Sequence, residues 1–216
     1  MALLLGLSAL GAVGCTPGGV GDPCTPEDEY QQTFSGFQQT EVNVESRSFQ
    51  CATRICLVNH FQGRVSCKLG QDAPLDATTG MPTGNYAPAC AIPGTKTSTT
   101  LTDENNVNVK VPPQLVARQT DKAVYCSCRC NGPDKNARYC ECPDGFECAK
   151  LVDDLRIPGS TGGNLAGSYC IRSGSAYTTK TDTPQTECSR DNPDTCGCGG
   201  DHPDAYCGAP ATGPKM

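Results

Sequence analysis

Cysteine is the residue whose number and spacing in this chain could support chemistry. The sequence has 17 cysteines in 216 residues, and six of them lie between Cys126 and Cys148. In that stretch three cysteines are spaced C-x-C-x-C, two more are spaced C-x-C, and Cys148 follows. Cysteines at this density are disulfide crosslinks, metal ligands or redox groups. The spacing of the cysteines separates these alternatives.

The close cysteine pairs favour disulfides. Zinc sites use C-x2-C to C-x4-C pairs because both thiolates can then reach one ion, whereas the closest pairs here are C-x-C and no C-x2-C pair occurs. The C-x-x-C of thioredoxin-like centres and the spacings of haem and iron–sulfur proteins are also absent from the sequence. We expect a framework of up to eight disulfides. Its candidates are the 16 cysteines after Cys15: Cys24, Cys51, Cys56, Cys67, Cys90, Cys126, Cys128, Cys130, Cys140, Cys142, Cys148, Cys170, Cys188, Cys196, Cys198 and Cys207.

The rest of the composition limits both the core and the partners. Aromatic residues make up 6% of the chain and Trp is absent, so a purely hydrophobic core would be small. Disulfides compensate for a small core, since each typically contributes about 2–4 kcal/mol. A net charge of −6 argues against nucleic acid as a partner, because neutralising phosphates needs a basic face.

The N-terminus has the features of an export signal. Residues 1–14 are an apolar run of signal-peptide length, too short to span a bilayer. The run ends in Ala12-Val13-Gly14-Cys15, which resembles the lipobox of Gram-negative bacterial lipoproteins. The resemblance implies that Cys15 is acylated and becomes the mature N-terminus, so membrane lipid is a partner. In such lipoproteins an Asp after the acylated Cys implies retention in the inner membrane. This chain has Thr16 there, which implies that the protein lies in the outer membrane and faces the periplasm or the cell surface.

Two points qualify this resemblance. The chain has no Lys or Arg before the apolar run, whereas signal peptides open with a basic residue. The alternative is an ordinary cleaved signal with an accidental Cys15. Cysteine parity agrees with lipidation, because 16 cysteines remain without Cys15, and a closed disulfide framework needs an even number.

Parity also predicts how the chain is divided. After Cys15, five cysteines lie in 24–90, seven in 126–170 and four in 188–207. Because five and seven are odd, full oxidation requires a bridge between the first two segments, directly or through the tail. We therefore expect one domain over 24–207. Its parts are 24–70, a loop over 71–122, 123–172 and 173–207, with a flexible tether over 15–23 before it and a tail over 208–216 after it.

The expected fold is small, disulfide-rich and mainly β, with short helices and long irregular loops. In the first part, Thr25 and Pro26 predict the cap and first position of a short helix. Ile55–Asn59 and Arg64–Cys67 predict a hairpin with Cys56 facing Cys67 and with His60 exposed in its loop. The loop that follows is polar and irregular, tethered by Cys90, with a weak strand over 107–111.

The cysteine-dense stretch predicts a central hairpin. A strand through Ala123–Cys130 returning at 140–142 would place Cys128 opposite Cys140 and Cys126 opposite Cys142, within bridging distance. At least one of these pairs should form, and Cys130 should then reach Cys148, Cys170 or another segment. Apolar spacing predicts a helix from residue 146 to 155, and a strand is expected over 165–172.

A short motif adds one further resemblance. Cys140-Glu-Cys142-Pro-Asp-Gly145-Phe146-Glu-Cys148 is similar to the closing half of an EGF-like module, over nine of the 216 residues. The resemblance implies a binding or structural module. The last cysteine spacing is shorter than in that family.

Candidate catalytic or metal residues are few. The most metal-like patch is Asp191, Asp194, Asp201, His202 and Asp204 in the tail, although we favour a solvated acidic loop between bridges as its interpretation. The chain contains no nucleophile elbow, no P-loop and no H-E-x-x-H motif. We expect no catalytic residues, no cofactor besides the lipid, and no enzymatic activity.

These observations predict a lipid-anchored structural or binding protein of the outer membrane, stabilised by disulfides. One alternative is a disulfide-framed inhibitor of another secreted protein. The other is a metal-dependent hydrolase using the acidic patch.

Overall fold

The computed structural model describes residues 17–71, 90, 92–94, 101, 104–105, 109–154, 165–178, 186–189 and 196. Over these residues the chain forms two small antiparallel sheets of three strands each, with only short helical turns. The expected fold class, disulfide-rich and mainly β, is confirmed. In the described part of the chain, every helix is too short or too polar to cross a bilayer.

The strands divide evenly between the sheets. The first sheet has the order β1-β2-β3, from Val42–Glu45, Ile55–Asn59 and Val124–Ser127. The second has the order β4-β6-β5, in which β4 is Arg129–Asn131, β5 is Phe146–Val152 and β6 is Gly167–Arg172. The helical turns are two 3₁₀ helices, Glu27–Tyr30 and Val116–Arg118, and one α-helical turn, α1, at Thr120–Ala123.

Alternation along β2 gives the first sheet two buried faces. Successive strand side chains point to opposite faces. Leu57 packs with Tyr125, Tyr169 and Ile171, which joins the first sheet to the second. Cys56, on the other face, packs in a separate cluster. The members of that cluster are Cys24, Phe37, Cys51, Cys56, Val58, Phe61, Ala123, Val124 and Cys126.

A break at Cys128 passes the chain from one sheet to the other. β3 ends at Ser127 and pairs with β2, whereas β4 begins at Arg129 and pairs with β6. The Cys128 carbonyl accepts a hydrogen bond from Cys170 N–H at 3.0 Å. The single strand predicted through 123–130 is therefore wrong, because its two halves belong to different sheets.

The predicted hairpin over residues 55–67 is also wrong. β2 pairs with β1 and β3, and Arg64 instead bridges to Cys67 in a tight turn. Cys56 is consequently buried opposite Cys126 rather than Cys67. His60, predicted to be exposed, is half-buried directly after β2 with a left-handed φ of 51°.

The helix predicted from residue 146 to 155 is a strand up to Val152. A β-bulge between Lys150 and Val152 shifts the register against β6. As a result, Ala149, Leu151 and Val152 all pack against the same apolar cluster. The bulge gives the apolar residues a spacing that imitates one face of a helix. The strand expected over 165–172 is confirmed as β6.

Near the N-terminus, the predicted tether and helix cap both differ from expectation. Gly18 exchanges hydrogen bonds with the 50–52 turn, and residues 21–22 exchange two bonds of 2.8 Å with Cys126 in β3. The chain is thus docked on the first sheet from residue 18 onward. Pro26, rather than Thr25, is the residue that caps the 3₁₀ helix, and it makes no side-chain cap hydrogen bond. Thr25 N–H donates to Gln50 Oε1.

Candidate functional site

Twelve cysteines are joined in six disulfides, with Cα–Cα distances from 5.1 to 6.3 Å, inside the range of normal bridges. The pairs are Cys24–Cys56, Cys51–Cys126, Cys67–Cys90, Cys128–Cys140, Cys130–Cys148 and Cys142–Cys170. The first three involve every cysteine between residues 24 and 90. Cys51–Cys126 is the bridge between segments that cysteine parity requires.

The central pairing was predicted in part. Cys128–Cys140 is present as expected, although residues 140–142 form no strand and contact Arg129 through one hydrogen bond of 3.1 Å. Cys126–Cys142 is wrong. Cys126 lies in β3 of the first sheet and is bonded to Cys51, in the turn before β2, while Cys142 is bonded to Cys170.

Three of the bridges touch one another. Cys170 Sγ lies 3.5 Å from Cys128 Sγ and 3.8 Å from Cys140 Sγ, so two disulfides are in van der Waals contact. The sulfurs of Cys130, Cys142 and Cys170 also lie within 4.8 Å of one another. Reduced, these thiols would suit a soft metal ion, but as disulfides they provide no thiolate ligands. The oxidised framework is therefore structural.

Cys188 and Cys196 are buried, and their thiols are hydrogen-bonded to each other without a disulfide. Burial, together with the Cys196 thiol, raises the pKa of Cys188 to about 12. A thiol with so high a pKa is a poor nucleophile and a poor metal ligand at neutral pH. The remaining predicted residues lie outside the described part of the chain: Cys15, Cys198, Cys207, Asp191, Asp194, Asp201, His202 and Asp204.

A cavity of about 430 Å³ lies between the 117–123 segment and the 172–178 turn that follows β6. We call it the arginine cavity, after Arg118 and Arg172, which line it together with Lys122 and Tyr177. Its volume is within the usual range of ligand pockets, about 300–1,000 Å³. Its described lining contains no Asp or Glu, although acidic residues outnumber basic ones in the chain by 23 to 17.

Main-chain carbonyls hold Arg118 in place. Its Nε donates to His60 O at 2.7 Å, and its Nη2 donates to Asn59 O at 2.7 Å and Ser175 O at 3.2 Å. Its guanidinium also lies 5.7 Å from the centre of the Tyr177 ring. Burial lowers the pKa of Arg118. These acceptors carry no net charge, so they position the guanidinium without neutralising it.

Arg172 is held in a similar way from the end of β6. Its guanidinium carbon lies 5.3 Å from the centre of the Tyr125 ring and 5.2 Å from that of Phe146, in cation–π contacts. Its Nε donates to Asp121 O at 2.9 Å, and Nη2 donates to Gly21 O at 3.1 Å. The docked N-terminal segment therefore helps to position an arginine of the cavity.

The rim of the arginine cavity is open. Lys122 is exposed, and its Nζ has no hydrogen-bond or ion-pair partner within the described residues. Glu147 contacts the rim from outside, where it accepts a hydrogen bond from Gly174 N–H at 3.3 Å.

Tyr177 stacks on His60 with ring centroids 4.0 Å apart. Burial lowers the pKa of His60, and the charge of Arg118 lowers it further. A hydrogen bond to Gln39 O partly opposes this, because it raises the pKa.

The described lining of the cavity offers positioned cations for binding. Within the described residues it contains no Asp, Glu, His or Cys side chain that could act as a general base or nucleophile near neutral pH. The sequence analysis missed this site. Arg118 and Lys122 are four residues apart on adjoining helical turns, a weak signal, and only the sheet pairing brings Arg172 to them.

Comparisons with known proteins add no family to this description. Neither protein-family models nor curated proteins nor solved structures gave a match to the chain. Function is therefore inferred from the residues of this chain alone.

Proposed function

We propose that this chain is a lipid-anchored extracytoplasmic protein of the bacterial outer membrane that acts by binding a ligand or partner. The observation that carries the proposal is the pattern of cysteine pairing. Disulfides persist in oxidising compartments outside the cytoplasm. The twelve paired cysteines close among themselves, and five of the 17 remain: Cys15 and an even set of four in the tail.

The motif at residues 12–15 supports an anchor at Cys15, and parity agrees with it, because an odd number of cysteines remains outside the six disulfides. Two acyl chains are enough for stable attachment to a membrane, whereas one chain gives only marginal binding. Binding is favoured over catalysis because the described lining of the arginine cavity offers positioned charges and includes no acid–base pair.

Replacement of Cys15 tests the anchor. The full chain with Cys15→Ser, expressed in a Gram-negative host, should remain an unlipidated precursor, incorporate no labelled palmitate and leave the membrane fraction. Thr16→Asp is the matched control, since it should keep the lipid but move the protein to the inner membrane. Palmitate labelling and membrane retention of the Cys15→Ser variant would refute the lipoprotein proposal.

A further inference from the structure

Among the described residues, no carboxylate pairs with the cations of the arginine cavity. Arg118 and Arg172 donate only to main-chain carbonyls in the described structure, and Lys122 Nζ donates to no described residue. The described lining of the cavity contains no carboxylate. Exposed cations usually attract ions from solution, but a partly buried guanidinium has lost much of its hydration and gains more from an anion. The cavity therefore attracts anions in a chain whose net charge is −6.

The two guanidiniums are already fixed before any ligand arrives. Three carbonyls hold Arg118, and two carbonyls and two aromatic rings hold Arg172. A rigid arginine loses little rotamer freedom on binding, which lowers the entropic cost of capturing a ligand. Planar guanidinium groups match the oxygens of carboxylate or phosphate, and the flexible Lys122 adds a point charge.

The number of charges favours phosphate over carboxylate. Three cations line one cavity, and a phosphomonoester carries about −1.5 to −2 at neutral pH, whereas a carboxylate carries a single charge. The cavity also has apolar walls from Ala117, Ala176 and the Tyr177 ring, against which the organic part of an ester can lie. We propose that the arginine cavity binds the phosphate group of a phosphomonoester, through Arg118, Lys122 and Arg172.

The phosphate could belong to a soluble ester or to a lipid headgroup. Arg172 is hydrogen-bonded to Gly21, which is six residues from Cys15. Six extended residues span at most about 20 Å. A lipid on Cys15 would therefore keep the cavity within reach of headgroup phosphates. This membrane source rests on the proposed anchor, whereas binding of a soluble ester does not.

Calorimetry on the mature full-length protein in a neutral detergent tests the site. Glucose 6-phosphate should bind, more weakly as salt is raised, glucose should not bind, and glucuronate should bind less tightly than the phosphate. Lys122→Gln should weaken glucose 6-phosphate binding about threefold to tenfold, as expected for one exposed charge-assisted hydrogen bond. Glu147→Gln should strengthen binding, since it removes the negative charge at the rim.

Lys135→Gln is the matched control, because Lys135 is exposed in a turn outside the cavity and the substitution removes the same charge. Equal weakening by Lys122→Gln and Lys135→Gln would overturn the proposal in favour of diffuse electrostatic attraction. Absence of phosphate-dependent binding would overturn it outright. Both results are independent of whether Cys15→Ser abolishes lipidation, so the two proposals fail separately.

A second titration identifies the source of the phosphate. Phosphatidic acid mixed into the micelles carries a phosphomonoester, and phosphatidylcholine serves as the control lipid. Displacement of glucose 6-phosphate by phosphatidic acid alone supports a lipid headgroup as the ligand. Unchanged binding in its presence supports a soluble ester. Equal displacement by both lipids would contradict recognition of a phosphomonoester.

Discussion

At the scale of single residues, the most costly arrangement is a fully buried ion pair. The side chains of Glu29 and Arg64 are both completely buried, with Arg64 Nε 3.3 Å from Glu29 Oε2. Burial raises the pKa of Glu29, and the charge of Arg64 and hydrogen bonds from Val65 and Ser66 only partly oppose it. Arg64 also donates to the carbonyls of the 29–34 segment. The pair therefore fixes the first 3₁₀ helix against residues 64–66.

Removal of one charge from this pair should be strongly destabilising. Glu29→Gln would leave the Arg64 guanidinium buried without a carboxylate, so we expect the free energy of unfolding to fall by about 3 kcal/mol. Asp153→Asn is the control, since the Lys150–Asp153 pair is exposed and its loss should have no measurable effect. Urea unfolding of both variants checks this, and equal stabilities would contradict it.

His60 should make stability depend on pH. Its pKa is lower in the folded protein than the ordinary value of 6.5, so folding favours the neutral ring. That contribution to stability is present above pH 6.5 and is lost as the pH falls from there through the folded pKa. His60→Asn is the matched variant, because Asn tolerates the left-handed backbone at this position.

The wild type should thus be more stable than His60→Asn by a larger margin at pH 7.5 than at pH 5.5. Urea unfolding of both proteins at the two pH values measures the change in this margin. A margin that stays constant, or that grows toward low pH, would show that His60 is not buried in its neutral form.

At the scale of elements, the bridge between segments should contribute more than a bridge within one. Cys51–Cys126 closes a separation of 75 residues, whereas Cys128–Cys140 closes 12. On the loop-entropy model, replacing both cysteines with Ala should cost about 4 kcal/mol for the first bridge and about 3 kcal/mol for the second. Denaturant unfolding measures the loss of stability in each double variant. A larger loss from Cys128→Ala with Cys140→Ala than from Cys51→Ala with Cys126→Ala would contradict this prediction.

Strand assignments succeeded where neighbouring residues decide the structure and failed where distant pairing does. β6 was predicted from its own composition. The break at Cys128 was not, because it depends on Cys170 N–H and on a second sheet that the local pattern does not reveal. The bulge after Lys150 misled the prediction of β5 for a related reason, since its apolar spacing fits either a bulged strand or a helix.

At the scale of the whole molecule, counting cysteines predicted a long-range link that residue patterns could not. The odd numbers in 24–90 and 126–170 required a connection, and Cys51–Cys126 supplies it. The arginine cavity had no comparable signal. Its cations come from the 118–122 segment and from the end of β6, and neither segment is unusually basic along the chain. A site whose residues come from separate elements can be recognised only when the pairing of the strands is known.

The docking of residues 18–22 on the first sheet bears on how an anchored protein would search for its partners. Gly18 is three positions along the chain from Cys15, a span of at most about 10 Å. An acyl group at Cys15 would therefore hold the domain close to the bilayer, with little freedom to move away from it. Such a protein would diffuse in two dimensions at the lipid surface. It would meet partners in its own membrane far more readily than those dissolved around it or attached to an opposing surface.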